Sequence, residues 1–393
     1  MRGASIANAL GLAAALAFGA WRYSLNHADL HSIFTADVPS DLQVYLLGGE
    51  LVRNGEPLYA GDLLPGLPFT YPPFAGVVFS WFGEATTQLG HAWTAASILV
   101  LAWVVWMSAR ATRASARISP VLLLTAFFVL CTEPVHATLF FGQVNIFLMA
   151  LVCLDFLPRR YRLPGIGVGL AAGFKLTPAY FVLLFAVQRR WGAMFVAAFT
   201  FLCTVATGFA EVTDARRFWT ESMFNSDRVG FADNPGAQAI RQVLSREFGI
   251  ESTPLWLALA VLVTALAAYA AHIALRRSNT TLALAFIGMA SCLVSPFSWH
   301  HHWVWIVPFG VAIYAAWGVV PMLLAMLPFA AINVAHEVFV VPNLLFTLVP
   351  LGFIAWYAWR GATGPSDVAE PGRGGGRHGT GRGGATGALR LDT

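Results

Sequence analysis

A succession of apolar runs, each close to the length of a membrane-crossing helix, leaves this chain few folds to choose from. They lie near residues 4–21, 90–109, 118–133, 143–157, 191–210, 254–275, 279–296, 301–317, 320–337 and 343–359. A spanning helix needs about 18–20 consecutive apolar residues. In lipid such a segment must satisfy its own backbone, which leaves helix as the only conformation open to it. Only 11% of the residues are charged against 57% hydrophobic, whereas soluble domains carry about a quarter charged residues. A water-soluble globule is thereby excluded. The expected fold class is all-α and polytopic, with about 11–12 transmembrane helices once two ambiguous stretches are counted.

Those two stretches decide the topology. Residues 72–84 are too short to cross comfortably, and 165–187 are interrupted by Gly173, Lys175 and Pro178, leaving halves of about ten residues, roughly 15 Å each as helix. If the first does not cross and the second is a hairpin, every arginine-rich junction falls in the cytoplasm: Arg2, then Arg110 with Arg113 and Arg117, Arg159 with Arg160 and Arg162, Arg189 with Arg190, Arg276 with Arg277, and Arg360. Both termini are then cytoplasmic in a multi-pass protein of the plasma membrane. The long polar segments 22–71 and 211–253 emerge on the opposite face, together with Glu133 to Asn145, Lys175, His300 to His302, and His336 with Glu337. The first run has the outline of a signal peptide, with Arg2 before it and Gly19 and Ala20 closing it. It is read as a retained span.

Residues 1–360 form one transmembrane domain on this reading. Residues 361–393, rich in Gly and Arg, form a disordered cytoplasmic tail. The net charge of +4 comes mainly from that tail and the short loops, so it does not argue for nucleic acid. Cys131, Cys153, Cys203 and Cys292 sit in or at the ends of apolar runs without metal-binding spacing. Neither a disulfide nor zinc is expected.

The residues able to carry chemistry are few. Asp41 follows the first span in DLQVYLLGGELVRNGEPLY, at a water interface that suits a general base. It also suits the N-cap of a helix beginning at Leu42. Glu50, Glu56 and Asp37 are weaker candidates. Lys175, the only lysine, lies between two apolar half-helices. A cation there either faces an anion such as a phosphate or snorkels to the interface. SPFSWHHHWVW, from Ser295 to Trp305, sets His300, His301 and His302 in succession. Consecutive helical positions point about 100° apart, so the three do not share one metal. One or two facing a cavity would donate to phosphate oxygens, while an interfacial aromatic belt is the competing reading. His136 and the GQVN run at Gly142–Asn145 add imidazole and amides, or cap helices. His336 and Glu337 either join this group or form a local ion pair.

No Walker loop, Rossmann fingerprint, HExxH or DxD pair occurs. A soluble nucleotide-sugar donor is therefore disfavoured. A polyprenyl-phosphate sugar carries its own anchor and reaches an extracytoplasmic site through the lipid.

The ordered set DLxVYxxGGxxVRxGxPLY, TYPP, GQxN, GFKLTP and SPxSWxHH, spread over residues 5–358, resembles the actinobacterial polyprenol-phosphate-mannose-dependent α-mannosyltransferases, glycosyltransferase family 87 of the glycosyltransferase C fold. The resemblance implies an extracytoplasmic, inverting transfer of mannose from polyprenyl-phosphate-mannose to a glycolipid such as a phosphatidylinositol mannoside or lipomannan. It implies Asp41 as the base that deprotonates the acceptor. It implies Lys175 and the histidines as stabilisers of the departing phosphate, with Tyr45, Arg53, Tyr71, Gln143, Asn145 and His336 as further substrate-binding positions. Other branches of the fold use two acidic residues in the first loop, and Asp37 is a poor second. No cofactor is expected; metal-independent transfer is favoured over use of a divalent cation. One base, one anionic leaving group and no second carboxylate fit direct displacement. The rival readings are transfer of another sugar, such as arabinose, from the same class of donor, and a lipid-linked sugar transporter or flippase.

Overall fold

The computed structural model describes residues 2–25, 38–112, 116–157, 164–225, 228–230, 233–330 and 340–363, with side chains of the first and last helices described over 10–21 and 344–362. Asp37, Arg113, Arg159, Arg160, Arg162, His336, Glu337 and residues 364–393 of the expected tail lie outside the described residues.

The fold is almost wholly helical. In chain order the helices are α1 (Arg2–Leu25), α2 (Ser40–Arg53), α3 (Pro73–Phe79), α4 (Thr87–Ala111), α5 (Ile118–Cys131), α6 (Glu133–Phe141), α7 (Asn145–Phe156), α8 (Ile166–Phe174), α9 (Val182–Val187), α10 (Trp191–Glu211), α11 (Ala215–Thr220), α12 (Ile240–Phe248), α13 (Thr253–Arg276), α14 (Thr280–Val294), α15 (Ile306–Trp317), α16 (Val319–Ala330) and α17 (Val340–Thr363). Among the described residues, strands are confined to a small antiparallel hairpin, Asp62–Leu64 against Leu67–Pro68.

By length and composition four helices among the described residues suffice to cross a membrane: α4, α10, α13 and the Leu344–Ala362 part of α17. The pair α5 and α6 adds a fifth if taken as one span bent by 77°. Glycines end some of the shorter apolar helices. Left-handed Gly142 ends α6, and Gly318, at φ 89°, separates α15 from α16. Helices α7, α14 and α15, of 12, 15 and 12 residues, are buried over most of their length. The most central of them is α14, buried continuously from Thr281 to Leu293, with α13, α15 and α17 around it. By contrast, Phe195, Phe199 and Leu202 on α10, and Val261 and Leu262 on α13, are exposed. Apolar surface of this kind on the outside of a helical bundle is what a bilayer covers.

The two ambiguous stretches are resolved at the level of helix. Residues 73–79 form a seven-residue helix, about 10 Å long and unable to cross. The 165–187 stretch breaks at Lys175, whose backbone is extended at φ −152° and ψ 130°, before a 3-10 turn at Thr177–Phe181 leads into α9. The Glu133–Asn145 region, read as emerging on the outer face, is mostly the buried helix α6. Both Glu133 and His136 are only 2% exposed.

The described parts of the long polar segments fold down onto the bundle. Gly49 on α2 lets that helix touch α3: a Cβ there would meet the Phe79 carbonyl at 2.4 Å. The second segment clasps the histidine turn through Gln238 N–H to Ser298 O at 2.7 Å and His300 N–H to Gly236 O at 2.8 Å. Gln242 Nε2 adds a bond to Pro296 O at 2.6 Å.

Candidate active site

Asp41 occupies the first turn of α2, where the helix dipole favours a negative charge. It is not the N-cap. Pro39 holds that position and no side chain caps the helix. The carboxylate turns inward and takes a hydrogen bond from Gln143 Nε2 on Oδ2, with Ser40 Oγ 3.5 Å from Oδ1. Burial pushes the Asp41 carboxyl up from the usual range, opposed by the Gln143 bond, the charge of Lys175 and Ser40. A carboxylate made more basic by burial suits proton abstraction.

Gln143 is delivered by the end of α6. Gly142 turns left-handed at φ 69°, and Gln143 N–H then reaches back to Thr138 O at 2.9 Å. A side chain at 142 would be excluded on two counts, since its Cβ would also meet Pro39 and Leu42 at 2.8 and 2.9 Å. This close approach of α6 to the start of α2 places the amide against Asp41.

Beyond Gln143 lies a buried polar chain. Its Oε1 accepts from Tyr45 Oη at 2.9 Å and from Tyr71 Oη at 2.8 Å, and the two phenol oxygens are 2.8 Å apart. Lys175 Nζ sits 3.5 Å from Tyr71 Oη and donates to Asn145 Oδ1 at 3.1 Å. Asn145 Nδ2 in turn donates to His301 O at 3.0 Å, which also accepts from Thr138 Oγ1 at 2.9 Å. Six of the residues singled out in the sequence, Asp41, Tyr45, Tyr71, Gln143, Asn145 and Lys175, thus share one connected network.

Lys175, Asn145 and His302 line a small cleft, together with Ser291, Cys292 and Ser298. The three histidines part company because they form a 3-10 turn. His302 Nδ1 accepts the Trp299 N–H at 3.2 Å, so the neutral ring carries its proton on Nε2. His301 is buried beside the Trp299 and Phe141 rings, and neither of its nitrogens has a hydrogen-bond partner. His300 Nε2 lies 3.7 Å from Glu133 Oε1. Burial holds His301 and His302 well below the ordinary imidazole range, with neighbouring histidines and Lys175 adding to the effect. Burial thus favours the neutral form of both rings.

Arg53 is also placed elsewhere. Its guanidinium, at the far end of α2, binds the carbonyls of Ser80 and Phe82 after α3. The sequence reading passed over Thr138, Ser298 and the Glu133–His300 contact. Ser298 belongs to the SPxSWxHH run and was open to notice; Thr138 and Glu133 carried no local signal. Among the described residues no three His, Cys, Asp or Glu side chains converge in a group fit to hold a metal ion.

The arrangement pairs a buried carboxylate with a cation across a short hydrogen-bonded path, beside a cleft lined by hydroxyls, an imidazole and an amide. Such a site can take a proton at one end and receive an anion at the other.

Comparison with known proteins gives this arrangement a family. The chain is 34% identical over 318 residues, 74% of each chain, to the polyprenol-phosphate-mannose-dependent α-(1-2)-phosphatidylinositol mannoside mannosyltransferase of Mycobacterium tuberculosis. It is 36% identical over 299 residues, 68% of each chain, to the protein of the same description in Mycolicibacterium smegmatis. A polyprenol-phosphate-mannose-dependent α-(1-2)-phosphatidylinositol pentamannoside mannosyltransferase of the latter organism is 35% identical over 282 residues, covering 68% of this chain and 67% of its own. No solved structure matches the chain significantly. The model of glycosyltransferase family 87 matches residues 69–296, a stretch that holds Tyr71, Gln143, Asn145 and Lys175, and the chain belongs to that family of glycosyltransferases.

Proposed function

We propose that this enzyme transfers mannose from polyprenyl-phosphate-mannose to a phosphatidylinositol mannoside or related glycolipid, by direct displacement at the extracytoplasmic face of the plasma membrane. The observation that carries the reading is the path from Asp41 through Gln143 and Tyr71 to Lys175 at the cleft. The named donors and acceptors of the relatives support the substrate class.

Asp41 takes the proton of the acceptor hydroxyl as its oxygen bonds to the anomeric carbon. The bond from that carbon to the phosphate oxygen breaks on the opposite side, and its electron pair leaves with the lipid phosphate. Lys175 and the Nε2–H of His302 meet the charge that develops there. A single displacement inverts the anomeric centre, so a β-linked donor yields an α-linked product. Both substrates are membrane lipids and reach the site without leaving the bilayer. Lys175 places a cation at the departing phosphate, and transfer is proposed to need no metal ion.

The test is transfer of labelled mannose from polyprenyl-phosphate-mannose to extracted phosphatidylinositol mannosides by purified protein in detergent. Transfer by wild type, retained with chelator and lost in Asp41→Asn, is the expected result. Transfer only from a polyprenyl-phosphate-arabinose would move the enzyme to another sugar. No transfer from any such donor, together with translocation of lipid-linked sugar in vesicles, would replace the reading with a flippase. Labelling of a cysteine introduced at exposed Glu56 by a membrane-impermeant reagent in intact cells fixes the sidedness.

A further inference from the structure

Three features of the buried network set a direction on its hydrogen bonds. An ionised Asp41 accepts only, so the Gln143 amide must turn its Nε2 to the carboxylate and its Oε1 to the two phenols. An ammonium at Lys175 donates only, so Tyr71 Oη accepts from it and has its own proton free for Gln143. Tyr45 fills the remaining place, with Gln143 Oε1 and Tyr71 Oη both within reach of its hydroxyl. The donors then run one way, from cation to carboxylate, and each bond polarises the next in a water-poor interior. All three intermediaries are at most 7% exposed, so solvent does not compete.

We infer that Gln143 is a positioning residue, oriented by the Tyr45 and Tyr71 hydroxyls, that holds Asp41 ionised and aimed while coupling it through Tyr71 to Lys175. Gln143 was singled out from sequence as a substrate contact. In the fold its amide has both ends engaged by protein: Oε1 accepts twice and Nε2 reaches Asp41. The inference rests on the reading of Asp41 as the base. The titratable groups in electrostatic reach of Asp41 are Tyr45 on its own helix, Tyr71 on the segment before α3, and Lys175 at the end of α8. Both phenols are driven upward chiefly by burial and so remain hydroxyl donors throughout the working range.

The experiment is the pH dependence of kcat and of kcat/KM for mannosyl transfer, measured in wild type, Gln143→Leu, Tyr71→Phe and Asp41→Asn. Gln143 lowers the pKa of Asp41, so its loss moves the acid limb of the profile to higher pH, by about one unit. At neutral pH kcat falls at least about tenfold, while the donor KM stays within about threefold of wild type. Tyr71→Phe keeps the ring and its packing and moves the acid limb the same way by less. Should Gln143→Leu fail to fold, Tyr71→Phe carries the test alone. An acid limb unchanged in the variants, or a loss confined to KM, overturns the positioning role and makes Gln143 a substrate contact. Activity surviving in Asp41→Asn overturns the reading of the base itself, a different failure with a different signature.

Discussion

Asp214, at the head of α11, accepts the backbone N–H groups of both Leu58 and Tyr59 at 2.8 Å. One carboxylate thereby ties the second outer segment to the first across more than 150 positions of sequence. The tie leads on to the active site, because Tyr59 Oη donates to Tyr71 O at 2.8 Å. The two segments are thus part of one device that fixes the Tyr71 end of the polar network.

Asp214→Ala leaves two backbone donors without their charged partner, each bond being worth about 1.5–3 kcal/mol at most. Half-exposure of Asp214 reduces that figure, since water replaces part of what is lost. We expect a lower melting temperature in detergent, followed by tryptophan fluorescence, and a fall in kcat without any change in the acid limb of the pH profile. Unchanged melting and turnover would show that the segments hold Tyr71 without this tether.

Asp41→Asn is expected to move stability and activity in opposite directions. Burial raises the Asp41 pKa in the folded protein above its unfolded value, so the folded state binds the proton more readily. The contribution to stability is then fullest below the unfolded value, about 4, and is lost as pH rises through the folded one. Asparagine carries no charge to bury. The variant therefore melts higher than wild type at neutral pH, by roughly 2–4 °C for each kcal/mol recovered, and the gap closes as pH falls towards 4. Melting curves of both proteins between pH 4 and 8 give the difference directly. A variant that melts lower at every pH would mean that the ionised carboxylate is a net stabiliser.

The helical class and the break at Lys175 were legible because both depend on local composition. Apolar runs force helix in lipid, and Gly173 and Pro178 flank an ion that no continuous apolar helix accommodates. The gathering of Asp41, Tyr45, Tyr71, Gln143, Asn145 and Lys175 was legible only as an ordered set of motifs, since nothing within any one motif tells which other it touches. Helix α6 was not legible. Glu133 and His136 look like loop residues in a window of sequence, and only tertiary partners such as His300, 3.7 Å from Glu133, make their burial acceptable. The roles of His300, His301 and His302 were hidden for a related reason. A 3-10 turn sends adjacent rings into three environments, and sequence does not reveal which one faces the cleft.

Arg53 gives a clean test of motif membership against position. It shares a motif with Asp41 but is more than three helical turns away, bonded to the carbonyls that end α3. Arg53→Ala should leave kcat and the donor KM within about twofold and cost less than about 1 kcal/mol, as is usual for an exposed side chain. A tenfold rise in donor KM would return Arg53 to the phosphate site.

The neighbouring histidines separate by chemistry. His301 is 5% exposed, its ring lies beside the aromatic rings of Trp299 and Phe141, and its nitrogens are unbonded. Leaving such polar atoms buried costs about 1–3 kcal/mol, and burial holds the ring neutral. Phenylalanine, similar in shape and without the polar atoms, removes that penalty, so His301→Phe should fold at least as stably as wild type and keep its transfer activity within a few fold. His302 borders the cleft that holds Lys175 and has its proton on Nε2. His302→Phe should therefore lose about tenfold or more in kcat/KM for the donor, while His302→Gln, which keeps an N–H donor, recovers part of the loss. Transfer assays on the three variants at saturating acceptor decide the matter. If His301→Phe proves inactive while remaining folded, the buried ring must turn towards substrate during the reaction, and the division of labour drawn from the 3-10 turn is reversed.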